Sequence, residues 1–393
     1  MRGSCFLTPL STTIPPLISS ILHKLICRPN NTTLRHHHCI AASSSSSSSL
    51  PVSLNSSSCS SFISHKPQIP LFLRPPIYSA SLLDLQKFYS WAKTLTSSVG
   101  AAFVELDNGP DSILLLRELK WFLEDIVDDP LLISRLGVIQ NDGLSSKRVS
   151  LKVSLDQMYD FWRQRIEERW PFQYIVGCEH WRDLVLSVEQ GVLIPRPETE
   201  KIVDLVSEVV GKFKGLKDGI WADLGTGSGA LAIAISKILG KDAMVIATDL
   251  SPIAFAVATY NVERYGLQNF IKVKQGRWFD PLLEFEGRLA GLVSNPPYIP
   301  SEDITGLQAE VSKHEPILAL DGGVEGMDSL FHLCTRMSMM LKPGGFFVFE
   351  TNGEKQCKLL ADYLKDATGD SFRDVTIVSD FAGILRFVAG HRI

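Results

Sequence analysis

The sequence predicts an α/β protein: a seven-stranded, doubly wound, mostly parallel sheet with an antiparallel last strand, preceded by a small helical domain and a disordered N-terminal segment. Three observations predict it. From residue 219 onward, short apolar runs alternate with helical stretches, the pattern of a parallel sheet covered on both faces. The last two apolar runs are joined only by residues 379–383, too short for a parallel crossover, so they pair antiparallel. Residues 84–170 read as helical, and the 83 residues before Asp84 contain no acidic side chain at all.

That N-terminal stretch carries six basic residues, Arg2, Lys24, Arg28, Arg35, Lys66 and Arg74, and a serine run from Ser43 to Ser49. Basic, Ser-rich, acid-free composition is that of an organelle transit peptide, with a solvating tail as the plainer alternative. Residues 1–80 are expected to be disordered and removed on import. The serine run points to the chloroplast ahead of the mitochondrion. The whole chain has a formal charge of −4, so removing six positive charges leaves −10 on the body. A net acidic body argues against a general nucleic-acid surface. No apolar run is long enough to cross a bilayer. Of seven cysteines, four lie in the tail; Cys178, Cys334 and Cys357 are widely spaced, with no metal-ligand spacing and no bridge framework. No metal is expected.

Residues 84–172 form the helical unit. Ile113, Leu116, Trp121 and Leu123 lie in an apolar helical run that ends near Asp128-Asp129-Pro130. A second helix starts at Ser154, which with Gln157 has capping-box spacing; Leu155, Met158, Tyr159, Trp162 and Ile166 make its apolar stripe, and Pro171 ends it. Residues 173–200 follow as hairpin and linker: Tyr174 to Val188 is rich in aromatic and β-branched residues with a break at Gly177, and Pro195-Arg196-Pro197 is extended and stiff. A helix starts soon after, with Thr199 a possible cap. Residues 201–393 form the α/β domain, with strands predicted at 219–224, 243–249, 270–275, 289–294, 345–350, 373–378 and 384–389 and helices at 229–239, 252–265, 327–341 and 354–367.

Chemistry concentrates at the carboxyl ends of these strands, where open α/β sheets bind ligands. The first strand runs through Asp223 into Gly225-Thr226-Gly227-Ser228-Gly229 and a helix. Glycines at alternate positions let the backbone turn tightly and a ligand approach closely. Free N–H groups at the helix start favour an anion. The spacing differs from that of nicotinamide dinucleotide sites. Asp223 is placed to meet an ammonium group, which suits the amino acid end of S-adenosylmethionine better than a pyrophosphate. Asp249, twenty residues beyond Gly229, either accepts from ribose hydroxyls or caps the next helix. Trp278 either lies against an adenine ring or belongs to the core. Glu350 ends the fifth strand and caps or hydrogen-bonds a neighbouring loop. The fourth strand stops at Asn295-Pro296-Pro297-Tyr298, since two prolines neither continue a helix nor donate to a ladder. An amide, a phenol and backbone carbonyls held by proline suit a planar nitrogen bearing two N–H groups; the plain alternative is an ordinary Pro-Pro turn.

Gly225 to Gly229, Asp249 and Asn295 to Tyr298 together resemble the S-adenosylmethionine-dependent methyltransferases of the Rossmann-like, seven-stranded class. The Asn-Pro-Pro-Tyr subset methylates amino groups conjugated to a π system: adenine N6, guanine N2 or a glutamine amide. Pro171 to Gly177, Leu193 to Glu200, His314-Glu315-Pro316 and Ala319 to Gly323 look like the protein-(glutamine-N5) methyltransferases of class I peptide chain release factors. The resemblance implies that Gly225, Thr226, Gly227, Ser228, Gly229, Asp249 and Trp278 contact the cofactor, that Asn295 to Tyr298 hold the substrate glutamine, and that the helical domain docks the substrate protein. Arg277 stands where that family often carries an acid. The partner implied is an organellar class I release factor met by a monomeric enzyme, with no membrane; the rival function is methylation of adenine N6 or guanine N2 in nucleic acid.

Overall fold

The structure, a computed structural model, describes residues 65–133, 136, 147–366 and 371–393. Most of the expected transit segment lies outside these residues. Residues 65–80, expected to be disordered, are folded. A 3₁₀ turn at Leu71–Leu73 buries Leu71 completely among the helices. Lys152 Nζ donates to the Phe72 carbonyl at 2.8 Å. Strand β1 (Tyr78–Ser81) pairs antiparallel with β2 (Arg148–Leu151), a small ladder that the helical reading did not foresee.

The helices between and after them are α1 (Leu82–Val99), α2 (Ala102–Asp107), α3 (Ser112–Ile126), α4 (Pro130–Ile133) and α5 (Leu155–Ile166). Their starts follow from capping side chains. The Asp111 carboxylate accepts from Leu114 N at 2.7 Å, and Ser154 and Gln157 make the expected capping box. Phe88, Phe122 and Trp162 are fully buried where α1, α3 and α5 meet. Each such side chain contributes about 1.5–3 kcal/mol by leaving water. Trp162 Nε1 donates to the Ala92 carbonyl at 3.2 Å, which satisfies the one polar atom of that ring.

Helix α6 (Phe172–Val176) ends at Gly177, whose φ of +77° turns the chain into the hairpin β3 (Cys178–Trp181) and β4 (Leu184–Ser187). Helices α7 (Glu200–Lys212) and α8 (Lys214–Lys217) lead into the sheet: β5 (Ile220–Leu224), α9 (Ala230–Ile238), β6 (Met244–Asp249), α10 (Pro252–Arg264), β7 (Ile271–Gln275), β8 (Leu289–Ser294), α11 (Ala309–His314), α12 (Asp328–Met340), β9 (Leu341–Glu350), α13 (Glu354–Asp366), β10 (Phe372–Ser379) and β11 (Leu385–Arg392). The strand order is β10-β11-β9-β8-β5-β6-β7. Only β11 is antiparallel to its neighbours, and it inserts between β9 and β10.

Alternate residues of each strand face opposite layers. Trp221, Val245, Val293 and Val348 pack with α7 and α9, while Ala222, Ile246, Leu292 and Phe347 pack with α12 and α13. Strand β9 begins four residues earlier than its apolar run predicts. Pro343 has no N–H and Gly344 takes φ +74°, so its register with β8 shifts between Leu289↔Leu341 and Gly291↔Phe346. The sheet order reverses between β5 and β8, which sets the Gly225 loop beside the Asn295 loop.

Candidate active site

Two cavities meet at that reversal. The smaller, about 340 Å³, is lined by Gly225, Thr226, Gly227, Ser228, Asp249, Trp278, Asn295 and Pro297, among others. The larger, about 760 Å³, lies between the α/β domain and the helices and is lined by Asn295, Pro296, Tyr298, Arg196, Glu198 and Arg386, among others. Asn295 lines both. The segment Leu193 to Arg196 also borders both, held by Glu315. The Glu315 carboxylate accepts from Arg196 Nη2 at 2.7 Å and from Ile194 N at 3.2 Å. Burial works against the Arg196 charge, and Glu315 more than restores it.

The glycine loop takes its shape from internal hydrogen bonds. Gly225, Gly227 and Gly229 all have positive φ (74°, 56° and 85°), which side chains with a Cβ rarely adopt. Gly225 N and Thr226 N donate to the Thr248 carbonyl, Gly227 N to Asp249 Oδ2 at 2.9 Å, and Gly229 N to the Thr226 carbonyl. Four of the five loop amides are thus engaged within the chain. The helix that follows starts at Ala230, and Ala230 and Leu231 line the smaller cavity.

Asp223, expected to meet an ammonium group, is fully buried behind the loop and is not among the residues that line the smaller cavity. Its Oδ2 accepts from Thr226 Oγ1 (2.6 Å) and Ala232 N (3.0 Å), so it braces the loop from behind. Oδ1 is buried without a partner, and burial pushes the carboxyl up to about 7. Gly229 likewise stays off the wall and starts α9. Asp249 is at the wall; its oxygens accept from Gly227 N and Ser251 N, and burial raises its pKa against those amides. Ser251, and not Asp249, caps α10. Trp278 takes φ +47°, rare for a residue with a Cβ, and sets its ring 3.4 Å from the point where a Cβ on Gly225 would stand. An apolar ring, an acid and a tightly turned loop around 340 Å³ fit an adenosyl group with an amino acid end.

The Asn295 loop is fixed from the far side. Gln356 Nε2 donates to the Tyr298 carbonyl at 2.9 Å. Gly322 and Gly326 press on Tyr298 so closely that a Cβ would stand 2.7 Å from its Cα or 2.2 Å from its carbonyl oxygen. Asn295 Nδ2 donates to Thr199 Oγ1 at 3.1 Å. Among the described residues no donor meets Asn295 Oδ1 or the Pro296 carbonyl. The Tyr298 hydroxyl donates to Glu350 Oε1 at 3.0 Å. Burial and the Glu350 charge raise the phenol well above its ordinary range. Glu350 itself is fully buried and pushed up to about 7, first by desolvation and then by Glu198.

Sequence reasoning missed several of these residues. Thr199 occupies the cap position of α7, yet its side chain makes no cap bond and turns to Asn295 instead. Gln356 carries no sequence signal; only its position after β9 brings it under Tyr298. A buried ion cluster also went unread: Arg165 meets Glu118 (2.6 Å) and Glu310 (3.0 Å), and Arg169 meets Glu310 (2.5 Å) and Asp107 (3.0 Å), joining the helical domain to α11. Burial alone would raise the Glu310 pKa; Arg169 and Arg165 bring it below the usual carboxylate range.

A family model described as ribosomal protein L11 methyltransferase matches residues 208–295. A release factor glutamine methyltransferase of Synechocystis sp. is 39% identical over 277 residues, 70% of this chain and 90% of that protein. One from Thermosynechococcus vestitus is 36% identical over 305 residues, 77% of this chain and 97% of that protein. A solved ribosomal protein L11 methylase from Lactobacillus delbrueckii subsp. bulgaricus shares 21% identity with a TM-score of 0.36, covering 52% of this chain and 83% of that one.

Proposed function

The chain belongs to the release factor glutamine methyltransferases, and from that premise we propose that it methylates the side-chain amide of the glutamine in the Gly-Gly-Gln loop of an organellar class I release factor, inside the chloroplast. The methyl donor is S-adenosylmethionine. The observation that carries the reading is the pair of unclaimed acceptors, Asn295 Oδ1 and the Pro296 carbonyl; Asn295 lines both cavities and Pro296 the larger one.

A primary amide nitrogen is a weak nucleophile because its lone pair is delocalised into the carbonyl. Asn295 Oδ1 and the Pro296 carbonyl each accept one N–H of the substrate amide. That holds the nitrogen in place and favours its pyramidalisation. Tyr298, anchored through Glu350, packs on the amide and sets its plane. Bound in the smaller cavity, S-adenosylmethionine supplies an electrophilic methyl on a sulfonium. The contribution of the chain is then alignment, which can supply ~7–11 kcal/mol of a barrier. Neither cavity is lined by His or Cys, in keeping with a scheme that needs no general base.

The charge balance of the larger cavity favours a protein loop over nucleic acid. Its lining arginines each face an acid: Arg165 with Glu118 and Glu310, Arg196 with Glu315, Arg386 with Asp380. No arginine of that wall is left over for a phosphate backbone.

The test supplies labelled S-adenosylmethionine together with, separately, a plastid release factor, its Gln→Ala loop variant, a mitochondrial release factor and organelle RNA. Label is expected in the plastid factor and absent from the Gln→Ala variant. Label in RNA and not in a release factor would overturn the reading. Residues 1–64 fused to a fluorescent protein should enter chloroplasts; entry into mitochondria would move the substrate to the mitochondrial factor.

A further inference from the structure

Residues 65–73 form a strap that runs from the helical domain to the turn after β4. At one end Leu71 is completely buried among the helices, and Lys152 Nζ donates to the Phe72 carbonyl at 2.8 Å. Pro70 lies so close to Gly177 that a Cβ on that glycine would stand 3.1 Å from Pro70 Cα. At the other end Gln68 N donates to Glu189 Oε2 at 2.7 Å, and His65 Nε2 meets Glu189 Oε1. Glu189 is only 9% exposed, and among the described residues no other group meets its carboxylate.

Glu189 opens a turn that walls the smaller cavity. Val192 N donates back to the Glu189 carbonyl at 3.1 Å, and Gly191, Val192 and Leu193 line the cavity. The far end of the turn is held without the strap. Val192 packs against Ala254 and Val257 of α10, and its carbonyl accepts from the Tyr174 hydroxyl at 2.6 Å. Gly191 takes φ +96°, and a Cβ there would stand 2.9 Å from Ile253 Cδ1. The Glu189 side chain, at the near end, is held by the strap.

We propose that the strap is a positioning element of the cofactor site: it holds Glu189, and Glu189 holds the turn against the cofactor. This rests on S-adenosylmethionine occupying the smaller cavity. A nearly buried carboxylate without partners is too costly to keep. Freed from Gln68 N and His65, Glu189 turns out to water and draws Gly191 and Val192 from the cavity. The cofactor then meets a wall that it must first reorder. Such coupling is reciprocal, so bound cofactor tightens the strap in turn.

The full-length chain tests this by calorimetry with S-adenosylhomocysteine, steady-state methylation and hydrogen exchange. Lys152→Met loosens the strap without opening a cavity; Leu71→Ala frees it further. S-adenosylhomocysteine affinity should fall about fivefold in the first and about tenfold in the second. KM for S-adenosylmethionine should rise to match, with kcat at saturating cofactor unchanged. If Leu71→Ala does not fold, Lys152→Met carries the test alone. Glu189→Ala removes the tie without leaving a charge, so it should cost less, and Lys152→Met should cost nothing more in that background. A merely structural loss would persist there. In the wild-type chain S-adenosylhomocysteine should slow exchange of the Gln68 amide. Wild-type affinity in Lys152→Met, an equal loss from it in the Glu189→Ala background, or a Gln68 amide indifferent to S-adenosylhomocysteine would overturn the strap's role. Trp278→Ala separates that failure from failure of the cavity assignment. Weakened binding in Trp278→Ala beside normal binding in the strap variants overturns the strap alone. Normal binding in all of them removes the cofactor from that cavity, and the proposal with it.

Discussion

On the proposed function, Asn295 and Trp278 divide the two tasks of the site between them. Asn295 sits on the shared wall with its oxygen unclaimed, so on that reading its amide acts on the acceptor of the methyl group more than on the donor. Asn295→Ala should cut single-turnover methylation by about 10²–10³-fold, the usual cost of removing one preorganised hydrogen-bonding group. Calorimetry with S-adenosylhomocysteine should show affinity within a fewfold of wild type; equal losses in both would remove the assigned role. Trp278 holds a left-handed backbone that keeps its ring above the glycine loop. Trp278→Ala should weaken the same calorimetric affinity by ~1–3 kcal/mol, the worth of one base–aromatic stack. Turnover at saturating cofactor should change far less. Both positions were legible in the sequence, because a strand end followed by a proline pair or an aromatic is a local pattern. The direction in which Asn295 points was not, because it depends on Thr199, 96 residues away.

Between elements, a buried ion cluster fastens α5 and the residues after it to α11. Glu310 serves Arg165 and Arg169 together and is almost fully buried. Removing it leaves two buried cations with one acid each, Glu118 and Asp107, so Glu310→Ala should lower unfolding free energy in urea titrations by less than the ~3–5 kcal/mol that a wholly unpaired buried charge costs. Arg165 and Glu310 also line the larger cavity, so the surviving enzyme should show a raised KM for the release factor with cofactor affinity unchanged. The individual helices and strands could be read from periodicity and caps. Their contacts could not: a Glu in a short helix and two Arg on the polar face of another look like ordinary solvated charges until the fold sets them 3.0 Å apart.

Across the molecule, buried carboxylates tie stability to pH. Asp223 and Glu350 are both pushed to about 7 by burial, against about 3.9 and 4.3 in an unfolded chain. A carboxyl whose native pKa stands above its unfolded value holds more protons in the folded state. Its penalty is therefore absent below about pH 4 and complete above about pH 7. Stability should decline across that window by an amount on the order of 4 kcal/mol for each group. Urea midpoints measured from pH 5 to pH 8 should fall for wild type and fall less steeply for Asp223→Asn. A flat wild-type profile would mean that neither carboxyl is raised in solution. Paired acids such as Glu310 act in the opposite sense, since their native pKa is depressed, and they set the loss of stability at the acid end.

The order of strands and helices from residue 219 onward, the reversed last strand and the two chemistry-bearing loops were determined by the sequence alone. Each depends on features within a few residues: apolar runs, glycine spacing, a proline pair, a connection too short to cross over. The tertiary structure alone decided that β11 slips between β9 and β10, that residues 65–80 fold onto the helical domain, and that Asp223 braces the glycine loop from behind. It also decided that Thr199 and Glu350 stand behind Asn295 and Tyr298. Such facts depend on which surfaces meet once the sheet closes, and burial of a charge or the facing of an amide has no counterpart in the local pattern of the chain.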